Sequence, residues 1–342
     1  MFCRILAVAL LSCLIAPKSG PQALQQPSNP AKPAPSSAVA GNVNLVRTSE
    51  EDWTKLAVDR KVLASPLSGA VLGTDEGPTY TRELLRFEWR AGDPVDIWLI
   101  KPRSVAKPRV VLYLYGFPGD LDRFQDPRWD AVATSNGLAA VGFVSALTGE
   151  RFRSRPLKEW FVSELQESLM TTTHDVQLIL DYLDTRSDLD TTRIGMFGQG
   201  SGATIAILAA AADKRITAID LLNPWGDWPD WLERSAWIPE KERSDYLTPE
   251  FLQKAAVAEP VTYLPQLKGR DLHLQQIMDD PETPSQARDK IAAATPPGDL
   301  EQYPDKNAHQ AAWMKSGPTK WLAEHLGGEI PPSTIGSTKQ QP

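Results

Sequence analysis

Residues 193–213 read RIGMFGQGSGATIAILAAAAD, and the rest of the chain is read outward from them. Ile194, Met196 and Phe197 form a short apolar run of the length of a buried strand. Gly198-Gln199-Gly200-Ser201-Gly202 follows as a glycine-rich turn. Beyond it, Ile205, Leu208 and Ala209 recur at helical spacing. The pattern predicts a strand, a turn too sharp for neighbouring Cβ atoms, and a helix.

This stretch, with Asp190-Thr191-Thr192-Arg193-Ile194-Gly195 ahead of it, resembles the nucleophile elbow of the α/β-hydrolase superfamily. The prolyl-oligopeptidase-like and acetyl-xylan-esterase-like branches are the most similar. The resemblance covers roughly Thr79 to Gly327. It implies an α/β fold, with a mostly parallel sheet of about eight strands flanked by helices and a Trp-rich cap insertion. One residue departs from the pattern. With G-x-S-x-G laid on Gly198 and Gly202, Gly200 stands where the nucleophilic serine belongs, and Ser201 is one place late.

The chain order agrees with that implication. Thr79 to Arg90 and Asp93 to Pro102 read as strands joined at Ala91-Gly92. Arg109 to Tyr115 and Leu138 to Val144 are apolar throughout, as strands covered on both faces are. Ile216 to Leu222, Leu272 to Met278 and Glu301 to Tyr303 continue the series. Helices are predicted over Glu50–Ala64, Pro127–Asn136, Phe161–Thr185, Ser285–Ala294 and Gln310–Leu326. Strands alternating with helices from Arg109 onward predict parallel pairing with right-handed crossovers. Residues 43–328 are assigned to this domain, with the cap at about 224–268. Trp225, Trp228 and Trp231 repeat every three residues within the cap, so on one helix they would form a single stripe.

Composition excludes other classes. A net charge of −7 and a pI near 5.3 do not suit a nucleic-acid binder. The two cysteines, Cys3 and Cys13, leave the folded part without a thiol or a disulfide. Four scattered histidines give no metal-ligand spacing, and no cofactor motif is present, so neither a metal nor a cofactor is expected. Met1 to Ala16 has Arg4 and then an apolar run too short to span a bilayer, which fits an export signal. Leu10-Leu11-Ser12-Cys13 resembles a lipobox, so Cys13 offers lipid anchoring as an alternative to free secretion. A periplasmic or extracellular location is expected. Residues 17–42 read as a Pro/Ala-rich linker and 329–342 as a disordered tail.

The remaining site residues come from the resemblance. The loop after Arg109–Tyr115 has Tyr115 where the family usually has His, and the implied oxyanion donors are the N–H groups of Phe117 and Ser201. Asp279-Asp280-Pro281-Glu282-Thr283-Pro284 is similar to the family's acid loop, giving Asp280 as triad acid with Asp279 as fallback. His309 stands where the family places its catalytic histidine, and His174 is read as structural. Tyr115, Trp225 and Trp228 are assigned to substrate binding, although most of the cap tryptophans are expected to pack the cap onto the body, with one or two facing the pocket. Arg151 and Arg153 join them because loops beyond parallel strands line the ligand crevice, although a solvated basic loop also explains them.

Three functions follow. In the first, the chain is a working carboxylesterase or peptidase on a small acyl or ester substrate, using Ser201 or a water activated by His309. Alternatively, it is a non-catalytic relative that binds a ligand, or a cofactor-free lyase working with His309 and Asp280. Gly200 has no side chain to attack with, and losing the nucleophile costs about 10⁶ in kcat in a dissected protease. Efficient serine catalysis is therefore not expected.

Overall fold

The computed structural model describes residues 51–63, 69–90, 92–117, 122–147, 151, 161–317 and 319–328. The expected leader with Cys13, the linker, the tail and Arg153 lie outside the described residues.

Among the described residues there are nine strands: β1 (Ala70–Glu76), β2 (Tyr80–Arg90), β3 (Asp93–Pro102), β4 (Arg109–Leu114), β5 (Ala139–Phe143), β6 (Asp190–Gln199), β7 (Ile216–Leu222), β8 (Asp271–Ile277) and β9 (Asp299–Tyr303). They form one sheet in the order β1-β2-β3-β5-β4-β6-β7-β8-β9. β1, β2 and β3 pair antiparallel, as does β3 with β5, and every pairing from β5 across to β9 is parallel. The apolar run of β4 explains its place in the interior. Val110, Leu112 and Leu114 enter the core on one face, while Val111 and Tyr113 enter the core on the other.

The helices that matter to the site are α1 (Pro127–Ala133), α2 (Leu165–Asp184), α3 (Ser201–Ala212), α4 (Trp228–Arg234), α5 (Pro249–Ala255), α6 (Ser285–Ala294), α7 (Lys306–Ser316) and α8 (Lys320–Leu326). α2 and α3 pack in the larger core with the tryptophans that follow β7. α1 and α8 supply Trp129, Leu322 and Leu326 to the second. α3 is buried from Ser201 through Ala210, which is why its sequence is apolar all round.

Four expectations are corrected. Only Arg60–Leu63 is helical among the described residues, 51–63, of the segment predicted as helix from Glu50 to Ala64. Its backbone groups bind α2 side chains instead: Gln177 accepts from Val58 N and donates to Leu56 O, and Gln166 donates to Trp53 O. The final helix is two, because Gly317 at φ +79° ends α7. β1 had no apolar alternation to announce it, and all seven of its residues are exposed. The tryptophan stripe does not lie on one helix, because α4 begins at Trp228 and Trp225 precedes it.

Candidate active site

The turn between β6 and α3 is as tight as its glycines imply. A Cβ on Gly198 would lie 2.5 Å from Gly202 O, and one on Gly202 would lie 2.1 Å from Leu114 O. Neither position admits a side chain. Gly200 differs. Its backbone is at φ 55°, ψ −121°, and its N–H donates to Leu222 O at 2.8 Å. A Cβ there would first meet Trp225 Nε1 at 3.4 Å, an ordinary contact. The apex of the turn thus has room for a side chain that the sequence does not provide. Positive φ is the remaining strain on any replacement.

Ser201 is fully buried at the first position of α3. Its Oγ accepts a hydrogen bond from Phe117 N–H at 2.9 Å. The two residues expected to form the oxyanion hole are therefore bonded to each other.

Above the carboxyl ends of β4, β6, β7 and β8 lies a cavity of about 640 Å³. Tyr115, Phe117, Gly200, Trp225, Asp280 and His309 all line it, so the fold brings these sequence-assigned residues to one place. Ser201 is not among the lining residues, and neither are Trp228 and Arg151. Trp228 is buried, and its Nε1 donates to Ala258 O at 3.2 Å. The Arg151 guanidinium is buried too, bonded to Asp93 Oδ2 and Asp175 Oδ2, each at 2.8 Å. Asp175 also pairs with Arg90, which in turn holds Glu51. Buried charges need such partners, and this network, with His174 on Glu51 at 2.6 Å, ties the 51–63 segment to α2. The assignment of Trp228 and Arg151 to substrate binding is corrected accordingly.

Asp280 and His309 share the cavity without a hydrogen bond between them. Asp280 Oδ2 accepts from Asn223 Nδ2 at 2.8 Å and from Thr283 Oγ1 at 3.3 Å. Asp280 Oδ1 is buried with no hydrogen-bond partner, and Lys306 Nζ is 3.5 Å away. His309 is on the first turn of α7, edge-on to Tyr303 at 5.0 Å. Burial pulls its imidazole below its ordinary value of 6.5, against the pull of Asp220 and Glu301. It is neutral at neutral pH and can accept a proton, but no carboxylate orients it.

Several lining residues were not picked out by the sequence reading. Asn223 sits at φ 46°, and its side chain also accepts from Ile277 N at 2.8 Å, fixing the Asp280 loop. Asparagine directly after a strand was the available hint, since it tolerates the left-handed region. Arg123 lies 4.0 Å over the Tyr115 ring and has no ion-pair partner among the described residues. Trp237, Trp313 and Glu282 complete an aromatic wall with one further carboxyl, whose pKa is raised by burial and by Asp280. Among the described residues, no group of three His, Cys, Asp or Glu side chains is placed to hold a metal.

No family model matches the chain, and no curated protein matches its sequence. Solved structures do match. An acetyl xylan esterase from Paenibacillus sp. R4 aligns with a TM-score of 0.60 and 15% identity, over 73% of this chain and 88% of its own. A cold-adapted esterase from an Arctic intertidal metagenomic library aligns with a TM-score of 0.53 and 16% identity, over 75% and 99%. The acylaminoacyl peptidase of Pyrococcus horikoshii aligns with a TM-score of 0.51 and 15% identity, over 74% of this chain and 47% of its own. Likeness at this identity concerns the backbone, and activity must be argued from the side chains.

Proposed function

We propose that this chain, which has the α/β-hydrolase fold, is a ligand-binding relative of the esterases whose elbow has no attacking side chain. It holds a small acyl-type molecule in the cavity and does not turn it over by serine chemistry. The observation that carries this reading is Gly200, at the apex of the turn, beside the cavity and without a side chain. Ser201 does not substitute for it. Its oxygen is buried and accepts from Phe117, whereas a serine nucleophile must reach the histidine that takes its proton. The acid and base sides are uncoupled as well, since Asp280 is held by Asn223 and Thr283. A cavity of about 640 Å³ falls in the usual range for small-molecule sites.

A second reading has one observation in its favour. His309 lines the same cavity as a neutral imidazole and could activate a water against an ester. Steady-state hydrolysis of p-nitrophenyl acetate and butyrate separates the two. The first reading expects no burst and no enzyme-dependent rate. Turnover abolished by His309→Ala and untouched by Ser201→Ala would transfer the assignment to the water mechanism. Turnover abolished by Ser201→Ala would overturn both.

A further inference from the structure

We propose that α7 is a lid over the cavity, hinged at Asp305 and Gly317 and latched to the body by the ion pair of Lys306 with Asp280. This goes beyond the ligand-binding reading, since a lid serves the cavity whether or not its ligand is turned over. The first support is where α7 faces. Lys306, His309, Gln310 and Trp313 all line the cavity, and their i, i+3, i+4, i+7 spacing places them on one face of the helix. Ala311 and Lys315, on the opposite face, are exposed.

The second support is how little holds it. None of residues 306–315 is buried, and none of their apolar side chains, Trp313 included, enters either core. α8 differs. Its Leu322, Ala323 and Leu326 are buried in the second core, and Thr319 ahead of it accepts from Asn136 Nδ2 at 2.7 Å. An isolated helix of 11 residues is marginal in water, so α7 keeps its form through what it docks on, here the rim of the cavity. Lids are drawn from such weakly held elements.

The ends suit rotation. Asp305 is extended ahead of the first turn and caps it by accepting from Ala308 N at 2.8 Å. Gly317 ends the helix at φ +79°, and a Cβ there would meet no described residue within 4 Å. Hinges are a few residues at element ends that absorb the change in φ and ψ. Lys306 supplies the latch. Its Nζ lies 3.5 Å from Asp280 Oδ1, an oxygen that accepts no hydrogen bond. Besides that pair, His309 rests edge-on against Tyr303. The carboxylate that a working triad would give to His309 therefore holds, through Lys306, the helix that carries His309.

The test is hydrogen exchange of the full chain read by mass spectrometry, with hydroxyl-radical footprinting alongside. The α7 amides should exchange at least about tenfold faster than those of α8. Lys306→Met should speed α7 by a further factor of about two to five, the worth of a partly exposed ion pair, and leave α8 unchanged. Lys306→Arg keeps the charge and should exchange as the wild type does. Trp225 and Trp228 are each 1% exposed, but Trp225 lines the cavity and Trp228 does not. In Lys306→Met, oxidation of Trp225 should therefore rise by the same factor while Trp228 stays at its wild-type rate. The proposal is overturned if α7 exchanges as slowly as α8, or if Lys306→Met leaves α7 exchange or Trp225 oxidation unchanged. Equal responses of Trp225 and Trp228 would mean general loosening and would overturn it as well. Ester turnover bears on the ligand-binding reading alone, and these rates bear on the lid alone.

Discussion

The amide of Phe117 donates to the hydroxyl of Ser201 across 2.9 Å, linking the loop after β4 to the start of α3. In a working acyl-transfer site that amide would face a developing oxyanion. Here a resident hydroxyl accepts it, and the serine nearest the elbow is committed to a structural bond.

Ser201→Ala should therefore act on stability and not on activity. It removes the acceptor of a partly buried N–H, which costs about 1 kcal/mol. Chemical denaturation should show that loss, while any residual ester turnover stays at the wild-type value. A collapse of turnover with unchanged stability would assign Ser201 the catalytic role that its geometry denies.

Restoring a nucleophile should need two substitutions. Gly200→Ser fits the space beside Trp225, but the oxyanion donor remains occupied by Ser201 Oγ. The double variant Gly200→Ser/Ser201→Ala frees it, and one such donor is worth about 10²–10³ in kcat. Hydrolysis of p-nitrophenyl acetate by the double variant should exceed that of Gly200→Ser by at least about tenfold. Equal rates would mean that Phe117 does not point at the reacting position.

Arg151 should prove structural. Arg151→Met removes one member of a buried cluster and leaves Asp93 and Asp175 without that partner, a change that costs about 3–5 kcal/mol. Thermal denaturation should fall steeply in Arg151→Met, and Arg151→Lys should recover only part of it, because lysine cannot make the paired contacts to Asp93. Loss of ligand binding with an unchanged Tm would return Arg151 to the cavity.

Two histidines should respond to pH with opposite signs. His273 Nδ1 lies 2.9 Å from Asp220 Oδ1. Burial lowers its pKa, but Asp220, with Glu301 and Asp299, outweighs burial and raises it above 6.5. Its stabilising contribution is full below 6.5 and fades as pH rises through the raised folded-state value. His309 is shifted downward, so the unfolded chain takes up its proton first, and stability is lost as pH falls below 6.5. His273→Gln should thus be more destabilising at pH 5.5 than at pH 9. His309→Gln should be better tolerated at pH 5.5 than at pH 9. The same ordering for both variants would contradict these environments.

Much of the sheet was legible because its parallel strands are buried on both faces and read as apolar runs, β4 and β7 most plainly. The elbow was legible because Gly198 and Gly202 have no alternative at their positions. What could not be read depends on contacts far apart in sequence. Arg151 reads as a loop cation until Asp93, 58 residues away, is seen to hold it. The bond between Phe117 and Ser201 spans 84 residues. The sequence places Asp280 and His309 in the right order, but order does not specify that Asn223 would bind the carboxylate first. β1 is exposed on every residue and left no pattern to find.

Intact-mass spectrometry after treatment with a fluorophosphonate reports on the central claim directly, since the reagent reacts only with an activated side-chain oxygen. The expected result is an unmodified mass for the wild-type chain, with an adduct gained by Gly200→Ser/Ser201→Ala and mapped to position 200. A stoichiometric adduct on Ser201 of the wild type would contradict the account.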